Sequence, residues 1–572
     1  MVTLLWAQRF PMLLCFLLFY MTAVAQGSYL QHDLRQVQQV YDVVVYGSTP
    51  AAIAAAIQTS RMNKTVALVT AQSRLGGVMT SGLGWTDSKD GRAISGISRE
   101  FFKRVYTYYL NDKFWPVENR KNYRTKVKAQ PGQAIDVNGK VQWTFEPKVA
   151  KLIIEDWVRE EKIAVFLNQP ILRSKTGVTK SGKRITSLKT ESGTVFRGKM
   201  FIDASYEGDL MDVAGIPYHL GRESTSEYNE AYAGYVVNTN NRLKADPYVL
   251  KGIPASGTIS GIQDVVTDPL SVQGTADPVR LQAYNYRMTL TKNTNNQVPF
   301  SKPAGYQESD YELLLRYIEN GYTGALFTTQ LMPNGKTDTN ANGQVSTDLL
   351  GGNFNNKSNY MDWSNQERQA CADAHKYWTQ GFFWTLANNP RLSLDLRTRV
   401  GAWGYAADEY LDNDNFPFEM YIREGRRLDG LYTMKRSDVE APTAFVNDSI
   451  IAYGSYRLDV HAVQRVLVGN NIYSEGQVGG SNVPPFPIPV SAVVPRTGGV
   501  ANFASPVTMS STHIAFAAIR MEPTYMMMGQ GAAIAAALAI DANVDIQNVD
   551  RKKLSDRIKK EWARKYVAPV VV

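Results

Sequence analysis

The sequence predicts an α/β fold organised on a nucleotide-binding βαβ unit. Three stretches predict it: Tyr41 to Thr70, the glycine-dense loop Arg74 to Asp87, and the small-residue segment Thr512 to Ile540. In the first, a valine-rich strand, Asp42 to Tyr46, ends at Gly47. Pro50 then stands at the first position of an alanine-rich helix, and a second apolar strand runs from Thr65 to Val69. A strand feeding a tight turn into a helix aims unsatisfied N–H groups and the positive end of the helix dipole at an anion. A phosphorylated cofactor is the partner this implies.

The turn departs from G-x-G-x-x-G: Gly47 is its only glycine, and Thr49 and Ala52 stand where the second and third would be. Ala52 is an accepted variant, whereas Thr49 brings a side chain where bare backbone meets phosphate. Thr70, ending the second strand, replaces the acidic residue that holds a ribose hydroxyl. Taken alone, this window is compatible with a cofactor site and with plain βαβ packing.

At 572 residues the chain exceeds the size at which single cores stop growing, so two domains or a domain with large insertions are expected. Arg9 precedes the apolar run Phe10 to Ala25, which closes with Ala23-Val24-Ala25. This predicts a signal peptide over residues 1–25, and a secreted, lumenal or periplasmic protein with no stable membrane anchor after cleavage. An uncleaved anchor is the alternative, although the run is short for a span. The segment Ile514 to Ile540 is broken by Arg520, Glu522, Pro523 and Gln530. With Cys15 removed, Cys371 is the only thiol, which excludes an intrachain disulfide, an iron–sulfur cluster and a cysteine zinc site. Asn63, Asn356 and Asn447 open glycosylation sequons. The net charge of +9 falls to +8 with Arg9 gone. The basic runs Arg120 to Lys128 and Arg551 to Lys565 could meet anionic glycans or nucleic acid, but the second has the helical spacing of a solvated face, and no nucleic-acid partner is expected.

The glycines of the second stretch, Gly76, Gly77, Gly82 and Gly84, are ordinary turn chemistry or, behind a dinucleotide turn, let backbone lie close against a flat cofactor. Helices are expected at Ser98 to Tyr109 and Glu146 to Glu161, a buried strand at Ile163 to Leu167, and a β meander from Gly177 to Phe201. The strand Met200 to Ala204 ends at Ser205, followed by Gly208-Asp209. Asp209 either caps a helix or accepts hydrogen bonds from ribityl or ribose hydroxyls. From Ile216 to about Asn447 the dinucleotide pattern does not recur, and amphipathic helices at Ser309 to Glu319 and Ser364 to Asn388 suit a substrate-covering section. Within it, Asp338 to Asp348 has the alternating oxygens and the Gly343 of a calcium loop, but Leu349 at the twelfth position, so an Asn/Gly turn is the competing reading and no metal site is assigned. In the third stretch a turn is expected at Glu522-Pro523 and a helix near Gly529-Gln530-Gly531, whose N-terminus could face a developing anion on a reduced flavin.

With these stretches in place, the chain resembles the FAD-dependent oxidoreductase family whose members are similar to the flavoprotein subunit of heterodisulfide reductase and have often been labelled xanthan-lyase-like. The resemblance runs from about Tyr41 to Ile540, on VVVYGSTPAAIAAAI, RLGGVMTSGLGWTD, FIDASYEGDLMDVAG, WGYAADEYLDNDNFPFEMYIREGRRLDG, GSYRLDVHAVQR and IRMEPTYMMMGQGAAIAAALAI. It implies a glutathione-reductase-like, Rossmann-type FAD-binding domain with an inserted α+β cap domain. The FAD domain would comprise residues 40–215 and 451–545, the cap 216–450, and a basic tail 546–572. The candidate FAD contacts are Gly47, Ser48, Thr49, Pro50, Ala51, Thr70, Arg74, Gly76, Gly77, Ala204, Ser205, Gly208, Asp209, Gly529 and Gln530. Relatives generally carry Gly at the position of Ala52 and Glu at that of Thr70. With no histidine between Gly76 and Gly84, FAD is expected to be non-covalent.

A flavin accepts hydride at N5, so a base must take a proton from the neighbouring substrate atom. The mature chain has five histidines: His32, His219, His375, His461 and His513. His461 and His513 lie in the recognisable stretches, each a base or a buried histidine satisfied by backbone. Arg423, Arg426 and Arg427 suit an anionic or polyhydroxylated substrate or an internal ion-pair cluster with Glu424 and Asp408. The function expected is a secreted FAD-dependent oxidoreductase acting on a small-molecule or carbohydrate substrate. The alternatives are a polysaccharide-active, lyase-like protein and a non-catalytic glycan-binding protein on a flavoprotein fold.

Overall fold

The computed structural model describes residues 39–566. The expected signal peptide, Cys15 and His32 lie outside the described residues. The strand–turn–helix unit forms as read: β1 (Val40–Tyr46), α1 (Pro50–Arg61) and β2 (Val66–Val69). Helix α2 (Gly96–Tyr108) and helix α3 (Pro147–Glu160) follow. Then come β3 (Ala164–Phe166), β4 (Val178–Ser181), β5 (Arg184–Lys189) and β6 (Val195–Asp203).

The order β3-β2-β1-β6-β5-β4 makes one sheet, and β7 (Phe503–Ala504) pairs in parallel with β6 on the far side of the sequence. Strands β3, β2, β1 and β6 run parallel, with Val45 opposite Leu68 and Ile202. The β4 and β5 strands of the meander extend β6 antiparallel. Near-continuous apolar runs suit strands buried on both faces. One face carries the core of Val43, Val45, α1 and the C-terminal helices; the other buries Val44, Phe166, Phe196 and Phe201.

The middle section has its own core around Leu314, Phe382, Phe383 and Tyr405. A five-stranded antiparallel sheet forms it, in the order 297–299, 404–406, 288–291, 336–339 and 330–332. The 24-residue helix α4 (Asn365–Asn388) packs there, started by a capping box between Ser364 and Glu367. The boundary expected at residue 450 is crossed: the hairpin Gln464–Val468 and Asn471–Glu475 pairs with Val237–Leu243 and Asp264–Val265 in a four-stranded sheet of the middle section. Asp338 lies inside an interior strand with both carboxylate oxygens 2.7 Å from Arg287, so the calcium-like stretch folds as strand and turn. Among the described residues no group of His, Cys, Asp and Glu is placed to hold a metal.

The C-terminal segment differs from its reading. It forms α5 (His513–Ile519) and then α6 (Glu522–Ala542), which starts seven residues before Gly529. Glu522-Pro523 is therefore a helix start, with an acid and a proline in the first turn, and not a separate turn. Gly529 and Gln530 lie mid-helix. A Cβ on Gly529 would stand 2.2 Å from the Ala51 carbonyl oxygen, and Gln530 donates to Gln58 at 2.8 Å and accepts from the Ile97 N–H at 3.1 Å. They hold α6 against α1 and α2 and present no free helix end to a flavin. Helix α6 is long and apolar enough to cross a membrane but is mostly buried inside the fold. Helix α7 (Arg551–Trp562) buries Leu554 and Ile558 and leaves most of its basic residues at the surface.

Gly529→Ala should destabilise the protein by about 1–3 kcal/mol by forcing α1 and α6 apart, despite a helix-propensity gain of up to about 1 kcal/mol. Urea unfolding checks this; a stability gain would show that the two helices do not pack this closely.

Candidate functional site

The ends of β1 and β6 meet at the turn. Gly47 has φ +131°, and a Cβ there would fall 2.4 Å from the Ala204 carbonyl oxygen, so only glycine fits. Thr49, whose side chain stands where bare backbone would meet phosphate, caps α1: its Oγ accepts from the Ala52 N–H at 3.2 Å and donates to the Ala204 oxygen at 2.7 Å. Its side chain pins the turn to β6. The glycine loop docks on the same turn through Gly76 N–H to Ser48 O, 2.7 Å, with Gly76 and Gly77 both at positive φ.

The turn opens into a cavity of about 390 Å³. Gly47, Ser48, Thr49 and Ser205 line it from the turn side, and Thr70 and Gln72 from the end of β2. Arg173 and Arg368 bring positive charge and Glu191, Glu207, Asp209 and Glu419 negative charge. Thr70 Oγ accepts from the Gln72 N–H at 3.1 Å. Arg74 is taken up by Asp412 and stands 3.4 Å from the centroid of the Phe418 ring, itself part of the cavity wall.

Asp209 lies in the first turn of the short helix Asp209–Val213, whose N-cap is Gly208, and at the cavity wall its carboxylate is taken up by arginines. Arg368 clasps both its oxygens at 2.7 and 2.9 Å, and Arg426 donates to it at 2.9 Å. Burial pushes this carboxyl up, but Arg368, Arg173 and Arg426 outweigh burial and hold it well below the usual range. Asp203, buried at the end of β6, accepts from the Ser205 N–H, the Ser205 hydroxyl and the Met211 N–H, and burial pushes it up to about 6.

A second cluster lies across a shared wall. Glu419, Met420 and Ile422 line the cavity, while Tyr421 and Arg423 of the same segment belong to a group of arginines. The guanidinium carbons of Arg287, Arg423 and Arg520 stand 5.8, 5.0 and 5.7 Å from the Tyr421 ring centroid. Arg423 is spent internally, on Asp348 at 2.9 Å and the Ala283 carbonyl at 2.5 Å, as Arg426 is on Asp209 and the Met361 carbonyl. Neither arginine is free for substrate. Of the ion-pair cluster expected with Glu424 and Asp408, Glu424 pairs with Arg427, whereas Asp408 pairs with Lys336 and Lys148.

His461 sits at the edge of this cluster, partly exposed, with Nδ1 2.6 Å from Asp348 and Nε2 3.6 Å from Asp459. Burial pushes Asp348 up, but Arg423 and His461 bring it down to about 2. His513 is buried. Its Nδ1 lies 2.5 Å from Glu424, and its N–H donates to Glu223 in a network closed by Arg427. Neither histidine is among the residues lining the cavity.

Sequence reasoning missed Arg173, Arg368, Tyr206, Glu419 and Glu522. Tyr206 lines the cavity, accepts from the Val78 N–H at 3.2 Å and donates to Glu522 Oε1 at 2.7 Å. Burial pushes Glu522 up to about 8, and burial with Glu207 and Glu522 nearby does the same to Glu419. The acid-proline start of α6 was a usable signal for Glu522. The others are brought in by tertiary contacts alone. The glycine approach and the α1 N-terminus at the cavity fit the diphosphate of a dinucleotide, with Arg368 held on Asp209 and Arg173 on the Met361 and Trp363 carbonyls beside it.

Residues 42–558 match the model of the family described as FAD dependent oxidoreductase. No curated protein matches the chain. Among solved structures it is similar to CabE, an aromatic hydroxylase from angucycline biosynthesis, at 14% identity over 32% of this chain and 35% of that one, TM-score 0.22. AlpK is similar at 15% identity over 37% and 42% of the two chains, TM-score 0.21. THI4 from Thermovibrio ammonificans is similar at 15% over 38% and 76%, TM-score 0.21. The chain thus spans under half the length of the first two structures, and the family match alone carries the assignment.

Glu522 ionises near 8 in the fold and at about 4.3 in an unfolded chain, so the stability gained by keeping it neutral is full below about 4.3 and is lost as pH rises towards 8. At equal cofactor content, Glu522→Gln should lose less stability than wild type between pH 5 and 8, by at least about 1.4 kcal/mol. Urea melts across that range test it; parallel pH profiles would contradict it.

Proposed function

We propose, from the premise that the chain belongs to the FAD dependent oxidoreductase family, that it is a secreted enzyme moving hydride from a small or sugar-like substrate to non-covalent FAD. FAD is the cofactor of this family, and when bound it supplies the hydride acceptor. The observation that carries the reading is the β1–Gly47–α1 turn opening into a cavity with Arg173 and Arg368. The α1 N-terminus would hold the diphosphate, the two arginines adding positive charge from their places on Asp209 and the Met361 carbonyl, and Thr70 and Gln72 would hold the neighbouring sugar. The middle section, closing on the cavity through Arg368, serves as the cap.

His461 is the base this geometry favours. Asp348 accepts the Nδ1 proton and Asp459 stands 3.6 Å from Nε2, so two carboxylates orient the ring, and a substrate hydroxyl that reaches Nε2 would give its proton there. His513, enclosed with Glu424, acts as a positioning residue for the ion-pair network. The alternative of a glycan-binding or lyase-like protein finds support in an open groove of about 810 Å³ in which Lys89, Arg99, Arg124 and Trp143 stand with Asp136 and the Arg92–Asp90 pair, a mixed polar and aromatic lining that suits a glycan.

The absorption spectrum of the purified mature protein, before and after acid precipitation, tests the cofactor reading. Flavin bands released into the supernatant are expected. A colourless protein that FAD cannot reconstitute would overturn the oxidoreductase reading and leave the glycan alternative. In the flavoprotein, His461→Asn should slow substrate-driven flavin bleaching about 10²–10⁴-fold with the bound flavin spectrum kept.

A further inference from the structure

Three segments remote in sequence converge on one side chain. Tyr206 follows the end of β6; Gly77 and Val78 belong to the glycine loop; Glu522 opens α6. A Cβ on Gly77 would fall 2.4 Å from the Tyr206 hydroxyl, so the bare face that a glycine offers to a flat ring is already covered by the tyrosine. The same hydroxyl takes the Val78 N–H and donates to Glu522, and the ring forms part of the cavity wall. Two buried carboxyl oxygens flank it without a hydrogen-bond partner, Glu522 Oε2 and Glu419 Oε1. An orphaned buried polar atom costs about 1–3 kcal/mol, so a polar group arriving there would be favoured.

We propose that Tyr206 is a displaceable plug at the ring end of the cofactor cleft, and that FAD loads only as Tyr206 rotates away from Gly77, Val78 and Glu522. This rests on the reading that FAD occupies the cleft. Tyrosine and flavin ring claim the same glycine face, so the two arrangements exclude one another. Rotation releases the Val78 N–H and Glu522 Oε1, which with Glu522 Oε2 and Glu419 Oε1 form a polar rim for an acceptor- and donor-rich ring edge. Both carboxyls are held neutral at pH 7 by burial, so each can donate a hydrogen bond. A cofactor that must wait for a minor arrangement binds with its affinity reduced by the fraction of chains in that arrangement.

The test is stopped-flow binding of FAD, followed by quenching of flavin fluorescence, to the full mature chain stripped of flavin. For wild type the observed rate should level off with FAD concentration, at the rotation rate of Tyr206. Tyr206→Phe keeps the bulk but loses both hydrogen bonds, and should raise that plateau about tenfold. Tyr206→Ala should remove the plateau and tighten FAD binding about tenfold or more. If Tyr206→Ala does not fold, the wild-type and Tyr206→Phe traces decide. A wild-type rate that stays linear, or a plateau that Tyr206→Phe does not move, would overturn the plug while leaving the cofactor reading intact. Failure of both wild type and variants to bind FAD would overturn the cofactor reading and the plug with it.

Discussion

The close crossing of β1 and β6 is the constraint on which the rest depends. Parallel pairing brings Tyr46 opposite Asp203, and the next residues must pass with a carbonyl oxygen where a Cβ would be. Glycine at position 47 permits this, and Thr49 fixes it by binding the same Ala204 oxygen while capping α1. From that crossing follow the direction of α1, the docking of the glycine loop on Ser48, and the place where a diphosphate meets helix N–H groups.

Around the crossing, buried charge is paired and not exposed. Asp209 with Arg368 and Arg426 joins the sheet domain to the middle section, while Asp348 with Arg423 and Glu424 with Arg427 brace the middle section internally. Buried pairs of this kind repay their desolvation only when geometry and additional hydrogen bonds are good, and removing one partner leaves an uncompensated charge. Their contribution is to fix how the middle section closes on the cavity. The same demand removes Arg423 and Arg426 from substrate recognition.

One extended segment, Phe418 to Arg423, divides the two halves of the site. Alternation along it sends Met420 and Ile422 to the cavity and Tyr421 and Arg423 to the arginine cluster, so the cavity on one side and His461 with its aspartates on the other are held by the same backbone. Five residues that matter here, Arg173, Tyr206, Arg368, Glu419 and Glu522, come from five different parts of the chain.

The sequence by itself determined the βαβ unit, the meander and helix α4, because each is written in local periodicity and turn chemistry, whereas the participation of both ends of the chain was implied by the family resemblance. The presence of Gly47, Thr49 and Thr70 at the cavity followed from strand–turn–helix order alone. Tertiary structure decided the rest. Whether Thr49 obstructs or pins, whether Asp209 meets a hydroxyl or an arginine, and whether Gly529 faces a ligand or a helix depend on partners 155, 159 and several hundred residues away. The hairpin at Gln464 to Glu475 joined the middle section for the same reason: β pairing is chosen by the available edge, and no residue within the hairpin specifies which edge that is.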